Sequence, residues 1–318
     1  MLSLSRRRLL ALLATTAPAC RRAGKKVIGV VPQGRSHLFW QSIHAGAEAA
    51  ARETGVEIIW NGPASETDYN GQLQIIDAMI NRRVDAIAVS PIDRKAMVSV
   101  VERAARENIP VIIFDSAIDT ELYTARVATD NYQAGRLAAR RMGEILQGKG
   151  EVAVVAVRPG GASTLLREGG FEDGIREGFP GISVVDKRFG LADFAKSLEV
   201  AENMLTAHPN LKALFASNES STVGAARALM SRKSGVQLVG FDSSPSLLED
   251  VKAGRIDSLV VQDPFRMGYE SVMTAVRKFK GESVVKITAL PPVLVTRDNL
   301  NDPAIQKLLN PDLKTYLG

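Results

Sequence analysis

The side chains with chemistry to offer follow directly on short apolar runs of the chain. The segment Pro32-Gln33-Gly34-Arg35-Ser36-His37-Leu38-Phe39-Trp40 follows VIGVV (27–31), Ser90-Pro91-Ile92-Asp93 follows DAIAV (85–89), and Asp115-Ser116 follows VIIF (111–114). The second half repeats the arrangement: Ser217-Asn218-Glu219 follows ALFA (213–216), Asp242-Ser243-Ser244-Pro245 follows VQLVGF (236–241), and Gln262 closes SLVVQ (258–262). This mixture of amides, hydroxyls and carboxylates suits a polyhydroxylated ligand. Each hydroxyl of such a ligand both donates and accepts; Asn and Gln serve both roles, and Asp accepts strongly. The apolar C–H faces of a sugar ring pack on flat side chains, which Phe39, Trp40 and Phe194 can supply. Plainer roles compete: Asp242 before Ser-Ser-Pro is also a candidate helix cap, and Phe39 and Trp40 begin an amphipathic helix, where aromatic residues commonly pack a core. The coincidence of all these residues at strand ends favours a binding site.

They converge only if the apolar runs form parallel sheets, because ligands of open parallel sheets bind at the carboxyl ends of the strands. The pattern predicts this. VIGVV, VEIIW (56–60), DAIAV and VIIF read as strands buried on both faces, separated by helices near 37–54, 67–82 and 94–107. The alternation restarts after Thr129-Asp130 with VAVVAV (152–157), ISVVD (182–186), ALFA, VQLVGF, SLVVQ and PPVLV (291–295). Helices are expected near 131–147, 164–178, 194–207, 220–232, 245–253, 265–279 and 303–309. Two runs of βαβ units with no low-complexity linker imply two doubly wound α/β lobes that pack together or exchange strands.

The chain has 318 residues and a formal charge of +5, which raises nucleic acid as a partner. The charge is unevenly placed. The opening MLSLSRRRLLALLATTAPAC carries Arg6, Arg7 and Arg8, a short apolar run from Leu9 to Ala17, and small residues before Cys20, the sole cysteine. The apolar run is shorter than the ~20 residues needed to span a bilayer, so it reads as an export signal with a twin-arginine flavour. Cys20 stands where a lipoprotein signal places its lipid-bearing cysteine. Cleavage before it removes three arginines and no acid, so the charge falls to +2 and the nucleic-acid reading loses its support. One cysteine excludes a disulfide framework and a cysteine-based zinc site, and three histidines leave little material for a metal centre. No metal or cofactor is expected.

Several of these segments resemble ribose-type periplasmic sugar-binding proteins. The resemblance is carried by Gly240-Phe241-Asp242 with Pro245, Phe215-Ala216-Ser217-Asn218-Glu219, Arg167-Glu168-Gly169-Gly170-Phe171, Leu205-Thr206-Ala207-His208-Pro209, and Phe39-Trp40 ahead of Gly46-Ala47. It runs from about Val27 to Val295. It implies two Rossmann-like lobes joined by a three-strand hinge, with the ligand in the cleft. The implied division is a leader and tether over 1–24, lobe I over 25–129 with 263–290, and lobe II over 130–262 with 291–318. By motif, the stacking residues are Phe39, Trp40 and Phe194, and the hydroxyl-binding residues are Asp115, Asn218, Asp242 and Gln262, with Arg167 as the cation. His37, Ser90 and Ser116 occupy ligand positions where ribose binders carry an amide, Asn and Arg. Losing a bidentate guanidinium at Ser116 points to a differently shaped or larger sugar, or a polyol. The implied partners are such a ligand and an ABC transporter permease, for a monomer in the periplasm that touches the membrane only through a lipid anchor.

The same fold also serves as a ligand sensor for chemoreceptors or sensor kinases, which the sequence does not separate from transport. Repressors of the lac type share the sugar-binding core, but add an N-terminal helix-turn-helix of which there is no sign before the first strand. An enzyme finds no support: Gly-x-Gly-x-x-Gly, a phosphate-binding loop, Gly-x-Ser-x-Gly and a metal-spaced His pair are all absent. His44, seven residues beyond His37 on one helix, reads as a packing histidine, and His208 before Pro209 as a helix end.

Overall fold

A computed structural model describes residues 24–318. The leader expectation, including Cys20, lies outside the described residues apart from Gly24. Two sheets organise the rest. The first takes β1 (Val27–Val31), β2 (Glu57–Trp60), β3 (Ala86–Val89), β4 (Val111–Phe114) and β5 (Ala125–Thr129); the second takes β6 (Lys149–Ala156), β7 (Gly181–Phe189), β8 (Leu211–Ala216), β9 (Gln237–Phe241) and β10 (Ser258–Val261). β11 (Ile287–Leu290) and β12 (Val293–Thr296) complete the first and second sheets in turn, giving strand orders 11-5-4-3-1-2 and 12-10-9-8-6-7. All pairings are parallel except that of β10 with β12. In each sheet the winding reverses beside its first strand, between β1 and β3 and between β6 and β8. Those are the switch points where a crevice opens in this class of fold.

The strands form because β-branched runs bury both faces under helices. α1 (Leu38–Thr54), α2 (Tyr69–Asn81) and α3 (Val98–Arg106) belong with the first sheet, and α4 (Asn131–Ile145), α5 (Ala162–Gly178), α6 (Phe194–Ala207), α7 (Glu219–Ser231) and α8 (Pro245–Lys252) with the second. α9 (Pro264–Phe279) returns to pack on α1, so the chain passes between lobes after β5, after β10 and between β11 and β12. Apolar clusters cover both faces of each sheet. The tail then bridges the lobes. α10 (Pro303–Leu309) seats Leu309 in the second core, whereas α11 (Leu313–Leu317) lies on α1, where Arg52 donates to the carbonyls of Thr315 and Tyr316 at 2.8 and 3.0 Å.

Two helix pairs, α1 with α9 and α4 with α5, cross closely. A methyl at Gly46 of α1 would overlap the carbonyl oxygen of Phe265 on α9, and one at Gly135 of α4 would overlap that of Arg167 on α5. Only glycine permits such close crossings. No helix among the described residues is long and apolar enough to cross a membrane.

Candidate functional site

The carboxyl ends of the two sheets face each other across a cavity lined from both sides. Gln33, His37, Phe39, Trp40, Glu66 and Asp115 come from the first lobe; Arg158, Ser163, Thr164, Arg167, Asn218, Glu219 and Asp242 come from the second, and Gln262 from the passage between them. The space between these side chains is about 30 Å³. A wider cavity of about 530 Å³ shares the walls Phe39, Asp242 and Gln262 and runs between α1, α8 and the tail.

Asp115 and Asp242 are matched features of the two lobes. Each is the first residue after a strand, and each adopts a left-handed backbone, with φ of 57° and 64°. Asp tolerates this conformation better than most residues, at a cost of about 1–3 kcal/mol that the surrounding structure must hold. Asp115 accepts from Ser90 Oγ at 3.0 Å, and Gln33 Nε2 donates to the same hydroxyl at 2.9 Å. Asp242 accepts from Gln262 Nε2 at 2.8 Å and from the Glu219 N–H at 3.1 Å, while Gln262 Oε1 accepts from Thr129 Oγ1 at 2.7 Å. Asp242 does not cap its own helix: Ser244 does that for α8. Asn218 is the cap of α7, its Oδ1 accepting from the Ser221 N–H at 2.9 Å, which leaves its amide nitrogen unspent.

Arg167 is held rigidly. Its guanidinium lies 3.6 Å from the Phe241 ring centroid, donates to Asn131 Oδ1 through Nε and Nη2, and to the Ser217 carbonyl at 2.6 Å. Asn131 opens α4, so the α4–α5 crossing sets where this cation stands. Glu66 forms the opposite hub, accepting from Trp40 Nε1 at 2.7 Å, with His37 Nδ1 at 2.9 Å and Arg158 Nη1 at 3.4 Å.

Burial dominates the titration of the acids. It pushes the Asp115 carboxyl up to about 7 against the Arg167 charge and the Ser90 hydrogen bond. It likewise pushes Glu219 up to about 7 and raises Asp242, although His37 and Arg167 respectively oppose it. For Glu66 burial is outweighed by His37, Arg158 and Trp40, which hold its carboxyl below the usual range. Burial also works against a charge on His37, but Glu66 overcomes it and the imidazole pKa is raised.

Of the residues singled out in the sequence, His37, Phe39, Trp40, Asp115, Arg167, Asn218, Asp242 and Gln262 line the cavity together. Ser90, Ser116 and Phe194 stand behind it. Ser90 supports Asp115, Ser116 Oγ accepts from the Ser163 N–H at 3.3 Å, and Phe194 meets the His37 ring edge-on at 5.0 Å. Gln33 and Glu219 lay in the segments read as strand ends without being singled out. Glu66 and Arg158 were missed. Arg158 follows VAVVAV directly, so the strand-end rule applied to that run finds it. His44 stacks on Trp60 at 4.4 Å, and His208, at the end of α6, pairs with Asp186 at 2.9 Å.

The family model described as a periplasmic binding protein domain matches residues 28–283. The chain belongs to that family. It is 32% identical over 274 residues to the ribose import binding protein of Escherichia coli (strain K12), covering 82% of this chain and 87% of that protein. Among solved structures, a carbohydrate transporter solute-binding protein from Agrobacterium radiobacter in complex with D-arabinose superposes with a TM-score of 0.88 at 33% identity, covering 91% of this chain and all of that one. A solute-binding protein from Agrobacterium vitis with bound D-fucose gives 0.87 at 32% identity, covering 89% and 100%. Two doubly wound lobes facing each other across a cleft are the fold of this periplasmic binding protein, as its sequence pattern implied.

Proposed function

We propose that this periplasmic binding protein captures a monosaccharide, or a polyol of similar size, between its lobes and presents it to an ABC permease. The observation that carries this is the buried ring of Asp115, Arg167, Asn218, Asp242 and Gln262, drawn from both lobes and walled by Phe39 and Trp40. Carboxylates and an amide supply acceptors, guanidinium and amide groups supply donors, and the aromatic rings supply a face for C–H groups. The similarity to proteins solved with D-arabinose and D-fucose supports the same class of ligand. These 30 Å³ are far below the ~300 Å³ at which small-molecule pockets begin. The lobes therefore part to admit the sugar, hinging at the three passages, with 25–129 plus 263–290 moving against 130–262 plus 291–318. The reading is capture and release, with no turnover. Export to the periplasm, a lipid anchor at Cys20 and a monomeric state complete it.

The test is a thermal-shift and calorimetric screen with D-ribose, D-arabinose, D-allose, D-fucose, D-galactose and myo-inositol. At least one should raise the melting temperature by mass action and titrate to one equivalent. Silence across pentoses, hexoses and polyols would dismiss sugar capture. Mass spectrometry of protein from its native membrane should find Cys20 as a lipidated N-terminus, and an unmodified one would remove the anchor.

A further inference from the structure

Arg158 stands two residues beyond β6, at the switch point of the second lobe, and is 2% exposed. All the hydrogen bonds of its guanidinium among the described residues go to the first lobe. Nη2 donates to Gln33 Oε1 at 2.5 Å and to the Ile92 carbonyl at 2.9 Å, and Nη1 to Glu66 Oε2 at 3.4 Å. These partners follow β1, β3 and β2, so one side chain grips every loop beside the first lobe's switch point. Its Nε, though buried, has no partner. When the lobes part, Glu66 keeps His37 and Trp40, but Arg158 keeps nothing.

Glu219 makes the reverse connection. It opens α7 in the second lobe, and its carboxylate accepts from the Leu38 and Phe39 N–H groups at 3.4 and 3.2 Å. Those are the first-turn donors of α1, whose own N-cap residue, His37, provides no side-chain cap. Uncapped donors at a helix start need an acceptor, and here it comes from the other lobe. Two weaker links flank the pair, from the Arg94 N–H to the Gly160 carbonyl at 3.2 Å and from the Ser163 N–H to Ser116 Oγ at 3.3 Å.

We propose that Arg158 and Glu219 form a ligand-independent latch between the lobes, a pair of positioning residues that set the closed population and so scale the affinity for every sugar alike. Each of these bonds runs directly from a residue of one lobe to a residue of the other, and exists only while the lobes face each other. The second of the consequences below rests on the reading of the cleft as a sugar site; the first does not. A latch acts through the fraction of molecules already closed, and the apparent dissociation constant varies inversely with that fraction. A residue that bonded the sugar would instead favour some sugars over others.

Arg158→Ala and Glu219→Ala therefore enlarge the radius of gyration of the ligand-free protein in X-ray scattering at pH 7. They also weaken binding of D-arabinose, D-fucose and D-ribose by one common factor, of about tenfold for a lost buried charged bond. Arg158→Lys, which keeps the charge but not the fork, falls between wild type and Arg158→Ala in both measurements. Gln33→Ala removes the same bond from the opposite lobe and covers the case in which Arg158→Ala does not fold; because Gln33 also donates to the Ser90 hydroxyl behind Asp115, it is read by the ligand-free radius alone. An unchanged ligand-free radius, or a reordering of the sugars, overturns the latch. If the wild type binds none of these sugars, sugar capture fails while the scattering comparison still decides the latch.

Discussion

Asp115 and Asp242 show why chemistry and strain coincide in this cleft. Each carboxylate sits on a left-handed residue directly after its strand, where a helix start or a straight extension would carry it away from the other lobe. Asp242 also accepts from the Glu219 N–H, so a hydrogen bond joins the ligand ring to the latch residue. Asp242→Ala should weaken binding of the captured sugar at least tenfold, since a hydrogen bond to a charged group is worth about 1.5–3 kcal/mol and ~1.4 kcal/mol is tenfold, and Asn218→Ala should weaken it less, by the ~0.5–1.5 kcal/mol of a neutral bond. Calorimetry with the tightest sugar of the screen checks this, and unchanged affinity in both variants refutes the assignment of the ring. Much of the ring was legible because strand ends are visible as places where an apolar run stops. Glu66 was not, because it lies in an extended loop after β2, and its partners His37, Trp40 and Arg158 are far from it in sequence.

The same cleft depends on how closely α1 crosses α9. That crossing orients the α1 N-terminus, which carries His37, Phe39 and Trp40 and receives Glu219. Gly46→Ala places a methyl on the Phe265 carbonyl, and backbone cannot yield as a flexible side chain can. Overpacking of this kind costs about 1–3 kcal/mol, so the melting temperature should fall and sugar affinity should weaken with it. A variant as stable as wild type would mean that the helices part without strain. The helices and central strands were readable from periodicity, but β5 and β11 were not. β5 alternates as ARVAT with Arg126 and Ala128 half-buried, and it follows β4 without a helix between them. β11 is an edge strand whose Ile287 is 51% exposed. Neither presents the continuous apolar run of a strand covered on both faces, and their pairing is decided by the lobe they close. The bridge made by α11 is invisible for the same reason, since Arg52 and Tyr316 meet only through the tertiary fold.

At the scale of the whole molecule, closure gathers acids from both lobes and must change how many protons the protein holds. In the closed cleft Asp115 and Glu219 titrate near 7 and Asp242 is raised, chiefly by burial, and His37 is raised by its Glu66 partner. Facing water in an open cleft, the carboxylates return toward ~4, whereas His37 keeps its Glu66 partner on the same lobe. Each of these three carboxyls therefore binds protons more readily when closed, so closure is favoured as pH falls through 7. Glu66, held low, acts in the opposite sense, but only near the ordinary carboxylate range, well below this window. A sugar that donates hydroxyls to Asp115 and Asp242 pulls their values back down, which leaves Glu219, facing His37 and Asp242, as the main group coupled to binding. Sugar affinity should thus rise from pH 8 to pH 6 by about tenfold for one such group. Calorimetry in two buffers of different ionisation enthalpy should register proton uptake on binding. Glu219→Gln should flatten the profile while preserving closure, because its amide oxygen still accepts from the start of α1. A wild-type affinity that is level from pH 6 to pH 8 would show that closing the cleft leaves Glu219 as free to ionise as it is in water.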